Sequence, residues 1–257
     1  MRNALAIAGK ELRSYFVSPI AYVVITGFLL LGGWFFFNLL ARFSFLLQIY
    51  SSFRNPEAQA RLNLNEFVIS PLLHNLSVVL VILVPVITMR SFAEEKRSGT
   101  YELLMTSPLS ITEIVAGKFL GVVAFLLVMI GLTAVYPIIL LAYGNPELGM
   151  MASGYLGLVL LAIAFATVGL LTSSVTENQI IAAVTCLVVL LLFYVISWPA
   201  ETAGPVLGAV LKYLSLTEHF GEMVKGIVDT KDVVYFVSVI LLSLFLTHRS
   251  VESVRWR

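Results

Sequence analysis

Six stretches of this chain run for about the length of a bilayer crossing without a single Asp, Glu, Lys or Arg: residues 20–41, 71–89, 119–142, 154–171, 180–198 and 233–247. A hydrocarbon core about 30 Å thick needs roughly 20 apolar residues of helix to cross it. In lipid every backbone N–H and C=O must find its partner within the chain, so such runs are helices. Composition agrees. Of the 257 residues 59% are hydrophobic and 12% charged, about half the charged fraction of a soluble domain. Too few charges remain to cover a water-facing surface. The expected fold class is an all-α membrane protein with six transmembrane helices.

The same numbers exclude several functions. A net charge of +1 gives no electrostatic case for nucleic acid. The one cysteine, Cys186, lies in an apolar run, so neither a disulfide framework nor a cysteine metal cluster is expected. A charge at the bilayer centre costs about 2.5–3.5 kcal/mol on insertion scales, and ion-coupled carriers accept that cost for a relay. The spans hold no such relay and no catalytic constellation. There is no G-x-x-x-x-G-K-[ST] motif, so the energy for any work must come from another polypeptide. His74, Asn75 and His248 near span ends read as headgroup-level polar residues. Ala162, Ala166, Gly169 and Ser173 make a small-residue stripe that suits close packing, within the chain ahead of a subunit interface.

Lys10, Glu11 and Arg13 interrupt any signal-peptide core. Leu5, Ala8, Leu12, Tyr15 and Phe16 fall at helical spacing, with Arg2, Lys10 and Arg13 off that face. This predicts an amphipathic helix over 1–17, lying in the interface with its basic rim toward anionic membrane lipid. Ser18-Pro19 then turns the chain into the bilayer. Six spans put both termini on one side. That side carries ten Lys and Arg against six on the other, which places both termini in the cytoplasm.

The segment 90–118 gathers Arg90, Glu94, Glu95, Lys96, Arg97, Glu102 and Glu113. Gly99 permits a sharp turn. Residues 100–106 can form a short transverse helix with Tyr101, Leu104 and Met105 on its apolar side, ended by Ser107-Pro108. Ser110 and Glu113 have capping-box spacing. Such an apolar side needs a cover that water does not supply. An ordinary solvated loop with positive-inside charges is the alternative.

EEKRSGTYELLMTSP within this segment resembles the coupling-helix region of ABC-type-2 permeases. AGKELRSYFVSPIAYV resembles that family's interfacial elbow helix, SSVTENQIIAAV (173–184) its turn between spans four and five, and LSLTEHFGEMVKGIVDTKDVVYF (214–236) its approach to the last span. The nearest subgroup is the gliding-motility-type (GldF-like) and nitrous-oxide-reductase-maturation-type (NosY-like) permeases. The resemblance covers nearly the whole chain. It implies a single transmembrane domain over 1–257 with an elbow helix, a cytoplasmic coupling helix and an extracytoplasmic helical hairpin before the last span, within 199–232. It implies two copies of an ABC ATPase subunit that hold ATP and Mg, with no cofactor on this chain, and a second permease copy or related permease. A periplasmic auxiliary protein of gliding-motility type is a further implied partner. Glu94, Glu95, Lys96, Arg97, Thr100, Tyr101, Glu102 and Leu104 would meet the ATPase, with Lys10, Glu11 and Arg13 of the elbow beside them.

His219 between Glu218 and Glu222 invites a metal reading. With no Cys or second His near in sequence, a solvated amphipathic face is the better one. The outer loop 43–69, with Arg42, Arg54, Glu57, Arg61 and Glu66, is not diagnostic. The function expected is that of a permease subunit for ATP-driven export across the bacterial inner membrane. The alternative is a non-transporting subunit that relays ATPase motion to a periplasmic partner.

Overall fold

The computed structural model describes residues 2–52, 62–106 and 108–255. Arg54, Glu57, Arg61, Ser107 and Arg257 lie outside them, as do the side chains of Leu104 and Met105. Every regular element among the described residues is helical: α1 (Arg2–Val17), α2 (Pro19–Ser52), a π-helical turn (Asn65–Ile69), α3 (Ser70–Thr88), α4 (Arg90–Arg97) and α5 (Thr100–Thr106). Then come α6 (Ile111–Leu132), α7 (Val135–Tyr143), α8 (Leu148–Val175), α9 (Gln179–Val195), a 3-10 turn (Trp198–Glu201), α10 (Pro205–Leu214), α11 (Leu216–Val224) and α12 (Thr230–Arg255).

Six of these helical stretches are long and apolar enough to cross a membrane: Pro19–Ser52, Asn65–Arg97, Ile111–Tyr143, Leu148–Val175, Gln179–Ala200 and Thr230–Ser253. The protein is a multi-pass, all-helical membrane protein. The helices outrun the apolar runs. α2 continues past Arg42 to Ser52, and residues 94–97, expected in a loop, continue the second stretch as α4. Arg90 and Glu94, one turn apart, hold that extension with two hydrogen bonds of 2.7 and 3.0 Å. Its other side is buried through Ser91, Phe92 and Ala93.

α8 forms the core because its side chains are small. Ala162, Ala164 and Ala166 are fully buried, and α3, α9, α11 and α12 all pack on α8. At Gly169 a Cβ would strike Thr88 of α3. The small-residue stripe therefore serves packing within the chain.

The third stretch breaks at residues 133–134. Pro137 has no N–H to donate to the Thr133 carbonyl four residues back. That carbonyl accepts from the Tyr136 N–H at 3.0 Å and from the Tyr155 hydroxyl of α8 at 3.0 Å.

The ends of the bundle differ. α1, α4, α5 and the last turns of α8 and α12 gather at one, the terminal end; Thr112 and His248 approach there to 3.3 Å. At the far end the expected hairpin is present as α10 and α11. There the Asn65 amide clasps the backbone of Glu147, donating to its carbonyl at 2.9 Å and accepting from its N–H at 3.2 Å.

Candidate functional site

The terminal end is built on one buried cation. Lys118, in the second turn of α6, is 2% exposed. Its ammonium lies 2.9 Å from Glu11 of α1 and 2.9 Å from Glu95 of α4, and donates to the Ser91 carbonyl at 2.5 Å. Three elements far apart in sequence thus converge on one nitrogen. Lys10 adds a longer pair to Glu95 at 3.7 Å. The second Glu95 oxygen is buried without a hydrogen-bond partner.

α1 reaches this junction because α6 presents glycines to it. A Cβ on Gly117 would lie 2.6 Å from the Ile7 Cβ and 2.9 Å from the Ala4 carbonyl oxygen; one on Gly121 would lie 2.7 Å from the Glu11 Cβ. Tyr15 and Phe16 then pack against Phe125 in tilted contacts with ring centroids 5.1 and 5.8 Å away. Tyr15 also donates to the Ile87 carbonyl at 3.3 Å, and burial pushes its phenol pKa up. The face α1 uses is Ala4, Ile7, Glu11 and Tyr15, while Leu5, expected on the apolar side, is 65% exposed.

α4 is fastened a second time, to α8. The Ser173 hydroxyl accepts from the N–H groups of Phe92 and Ala93 at 3.0 and 3.1 Å and donates to the Met89 carbonyl at 3.0 Å. These are the backbone groups that the break between α3 and α4 would leave unpaired. Lys96 donates to the Ser174 carbonyl at 2.6 Å, and Ser250 of α12 donates to the same oxygen at 3.2 Å.

Gly99, at φ +71°, turns the chain from α4 into α5. The Ser110 hydroxyl and Glu113 carboxylate close the capping box that starts α6. α5 hangs between these two fixed points. Its Tyr101 is turned inward, with Lys96 Nζ 5.4 Å from the ring centroid. The Tyr101 hydroxyl is buried without a hydrogen-bond partner, and burial, with the nearby charge of Glu95, pushes its pKa up to about 12.

The residues singled out in the sequence thus divide. Glu11, Glu94, Glu95 and Lys96 are engaged within the chain. Arg97, Thr100 and Glu102 are exposed, as are Lys10 and Arg13 of α1. The Leu104 side chain is outside the described set. Sequence reasoning missed Lys118 as the centre of the junction and Leu103 as an exposed apolar residue of α5, 71% accessible. The glycines at 117 and 121 were the available signal, since small residues around a lysine mark a face that another helix covers.

The far end corrects the reading of His219 as part of a solvated face. His219 is buried; its Nε2 donates to the Tyr213 carbonyl at 2.9 Å and its Nδ1 lies 2.6 Å from Asp232 of α12. Its ring stacks on Tyr235 at 4.0 Å. Glu218 is exposed and Glu222 pairs with Lys225 at 2.9 Å, so neither carboxylate joins it. A histidine covered by an aromatic ring and matched to a carboxylate can be buried where a lone one could not.

Residues 5–250 match the family described as ABC-2 family transporter protein. Among curated proteins, the chain is similar to the probable multidrug ABC transporter permease YbhR of Escherichia coli strain K12 and of Escherichia coli O157:H7. Each is 30% identical over 147 residues, which is 56% of this chain and 39% of the relative. The match thus spans about two fifths of the length of these relatives. Six membrane-length helices around a small-residue core, with a family match over nearly the whole chain, lead to one conclusion: this protein belongs to the ABC-2 family of transporter proteins.

Proposed function

We propose that the chain is the membrane-spanning permease subunit of an ABC exporter of the bacterial inner membrane. A separate ATPase subunit, in two copies, holds ATP and Mg and docks on the terminal end, which faces the cytoplasm together with both termini. A second permease, the same chain or a related one, completes the pathway. α5 serves as the coupling helix and α1 as the elbow, as in the gliding-motility-type and NosY-like permeases that the motifs resemble. Multidrug transport, named for the relatives, marks amphipathic small molecules as the first cargo to test.

The observation that carries this reading is the fastening of α4. α5 offers Thr100, Glu102 and Leu103 outward, with Arg97 exposed at the end of α4, while α4 itself is tied to α1 and α6 through Lys118 and to α8 through Ser173. A push on α5 is therefore delivered to three separate elements of the bundle. The test is co-purification of the permease with its ATPase, using Glu102→Lys and Leu103→Asp. Both side chains are exposed, so both variants are expected to fold. ATPase capture and ATP turnover are expected to fall together. Wild-type capture and turnover in both variants would remove the docking assignment.

A second reading, force relay to a periplasmic partner without transport, is favoured by one observation. α12 contacts α8 at the terminal end through Ser250 and fastens the far-end hairpin through Asp232. ATP-dependent uptake of amphipathic dyes into inside-out vesicles separates the two readings: accumulation supports export, and its absence beside full ATP turnover supports relay.

A further inference from the structure

On the outside of the bundle, α6 and α12 leave a groove of about 470 Å³ between them, lined by Thr112, Val115, Phe119, Leu244, Phe245 and Arg249 among others. Its walls are apolar side chains from the start of the third span and the end of the sixth. Its mouth is polar, with Thr112, His248 and Arg249 in the lining, and Glu252 stands just outside it, paired with Arg249. The Arg249 guanidinium lies 5.3 Å from the centre of the Phe245 ring and 2.8 Å from the Glu252 carboxylate. The Thr112 hydroxyl sits across the mouth, 3.3 Å from His248 Nε2.

An apolar channel at the end of two spans, opening on a cation beside an anion, has the shape and polarity of a phospholipid. We propose that this groove is a binding site for a zwitterionic phospholipid with a primary ammonium, phosphatidylethanolamine. One acyl chain lies against Phe119, Leu244 and Phe245. Arg249 and Thr112 take the phosphate, and Glu252 takes the ammonium. Arg249 suits this place because its fork grips phosphate oxygens while its flat face stays on the Phe245 ring. Glu252 supplies the selectivity. Phosphatidylglycerol brings no ammonium and meets the carboxylate as a like charge. Phosphatidylcholine brings a quaternary ammonium that has no N–H to donate. The assignment does not depend on the docking of an ATPase at α5.

Native mass spectrometry of the full-length permease released from detergent tests it, with phosphatidylethanolamine, phosphatidylcholine and phosphatidylglycerol titrated separately and inorganic phosphate as competitor. The wild type is expected to hold one phosphatidylethanolamine about tenfold more tightly than either other lipid, near the low end of what one charge-assisted hydrogen bond provides. Arg249→Gln is expected to lower affinity for all three lipids. Glu252→Gln is expected to keep binding but level phosphatidylethanolamine with phosphatidylcholine. Thr112→Val, a near-isosteric change, should weaken every lipid modestly and so checks the phosphate contact without moving a charge. Equal binding of the three lipids by wild type and Arg249→Gln would reduce the groove to ordinary lipid contact and overturn the site. Displacement of bound lipid by inorganic phosphate would overturn the lipid assignment in favour of a free anion.

Discussion

Lys118 shows what a single side chain can decide in this molecule. A bare ammonium taken out of water loses several kcal/mol of solvation, and two carboxylates with a carbonyl at hydrogen-bond distance offset that loss. Lys118→Met leaves Glu11 and Glu95 facing each other with little access to water. That variant is expected to lose about 3–5 kcal/mol, the range for a broken buried pair. Adding Glu11→Gln and Glu95→Gln should recover most of the loss, because the site then holds no charge. Thermal unfolding in detergent micelles distinguishes the two outcomes. Tyr101 poses the opposite case. Its hydroxyl is buried and unpaired, so Tyr101→Phe removes a group that burial penalises by about 1–3 kcal/mol. The variant is expected to unfold at a higher temperature than wild type. A lower midpoint would mean the hydroxyl has a partner. Neither residue was legible for what it does. The sequence marks Lys118 as one more basic residue at a span end, and its partner Glu11 lies 107 positions away, beyond the reach of any spacing rule.

At the scale of elements the sequence carried much more. Charge-free runs of membrane length leave only one local structure, so each expected span lies within one of the six membrane-length helical stretches. Gly99 and the Ser110–Glu113 box act through neighbours in sequence, and they formed where their spacing put them. What escaped was set by tertiary contact. The helices run past their apolar runs because paired charges continue them, as Arg90 and Glu94 do for α4. Pro137 was a visible signal for the break at 133–134, but nothing local foretells the Tyr155 hydroxyl that reaches the Thr133 carbonyl from another helix. α1 was readable as amphipathic and not as a helix packed into glycine notches. The notches give a sharp expectation. Gly117→Ala puts a methyl 2.6 Å from the Ile7 Cβ with backbone close behind, so α1 must lift. Overpacking of this kind costs about 1–3 kcal/mol, concentrated in α1. Hydrogen exchange should rise over residues 2–17 and stay unchanged in α8.

Taken whole, the molecule is fastened at both ends by charges that no span contains in its middle. At the terminal end the fastening is Lys118 with two carboxylates; at the far end it is His219 with Asp232. The two fasteners differ in how they tolerate change. A carbonyl oxygen only accepts, so the His219 Nε2 that meets Tyr213 must carry a proton. Nδ1 and the Asp232 carboxyl then share one further proton across 2.6 Å, and the pair is neutral in sum wherever that proton sits. Asparagine can replace aspartate here, because its amide N–H can donate to Nδ1 of a neutral imidazole without disturbing the bond to Tyr213. Alanine cannot. Asp232→Ala is therefore expected to cost about 1–3 kcal/mol through an unpaired buried nitrogen, and Asp232→Asn much less. Because α10 and α11 hang on this contact, exchange protection should fall over residues 205–224 in Asp232→Ala alone, while residues 2–17 at the other end keep theirs. Loss of protection at both ends together would mean that the bundle opens as one unit and that the far-end hairpin has no stability of its own to lose.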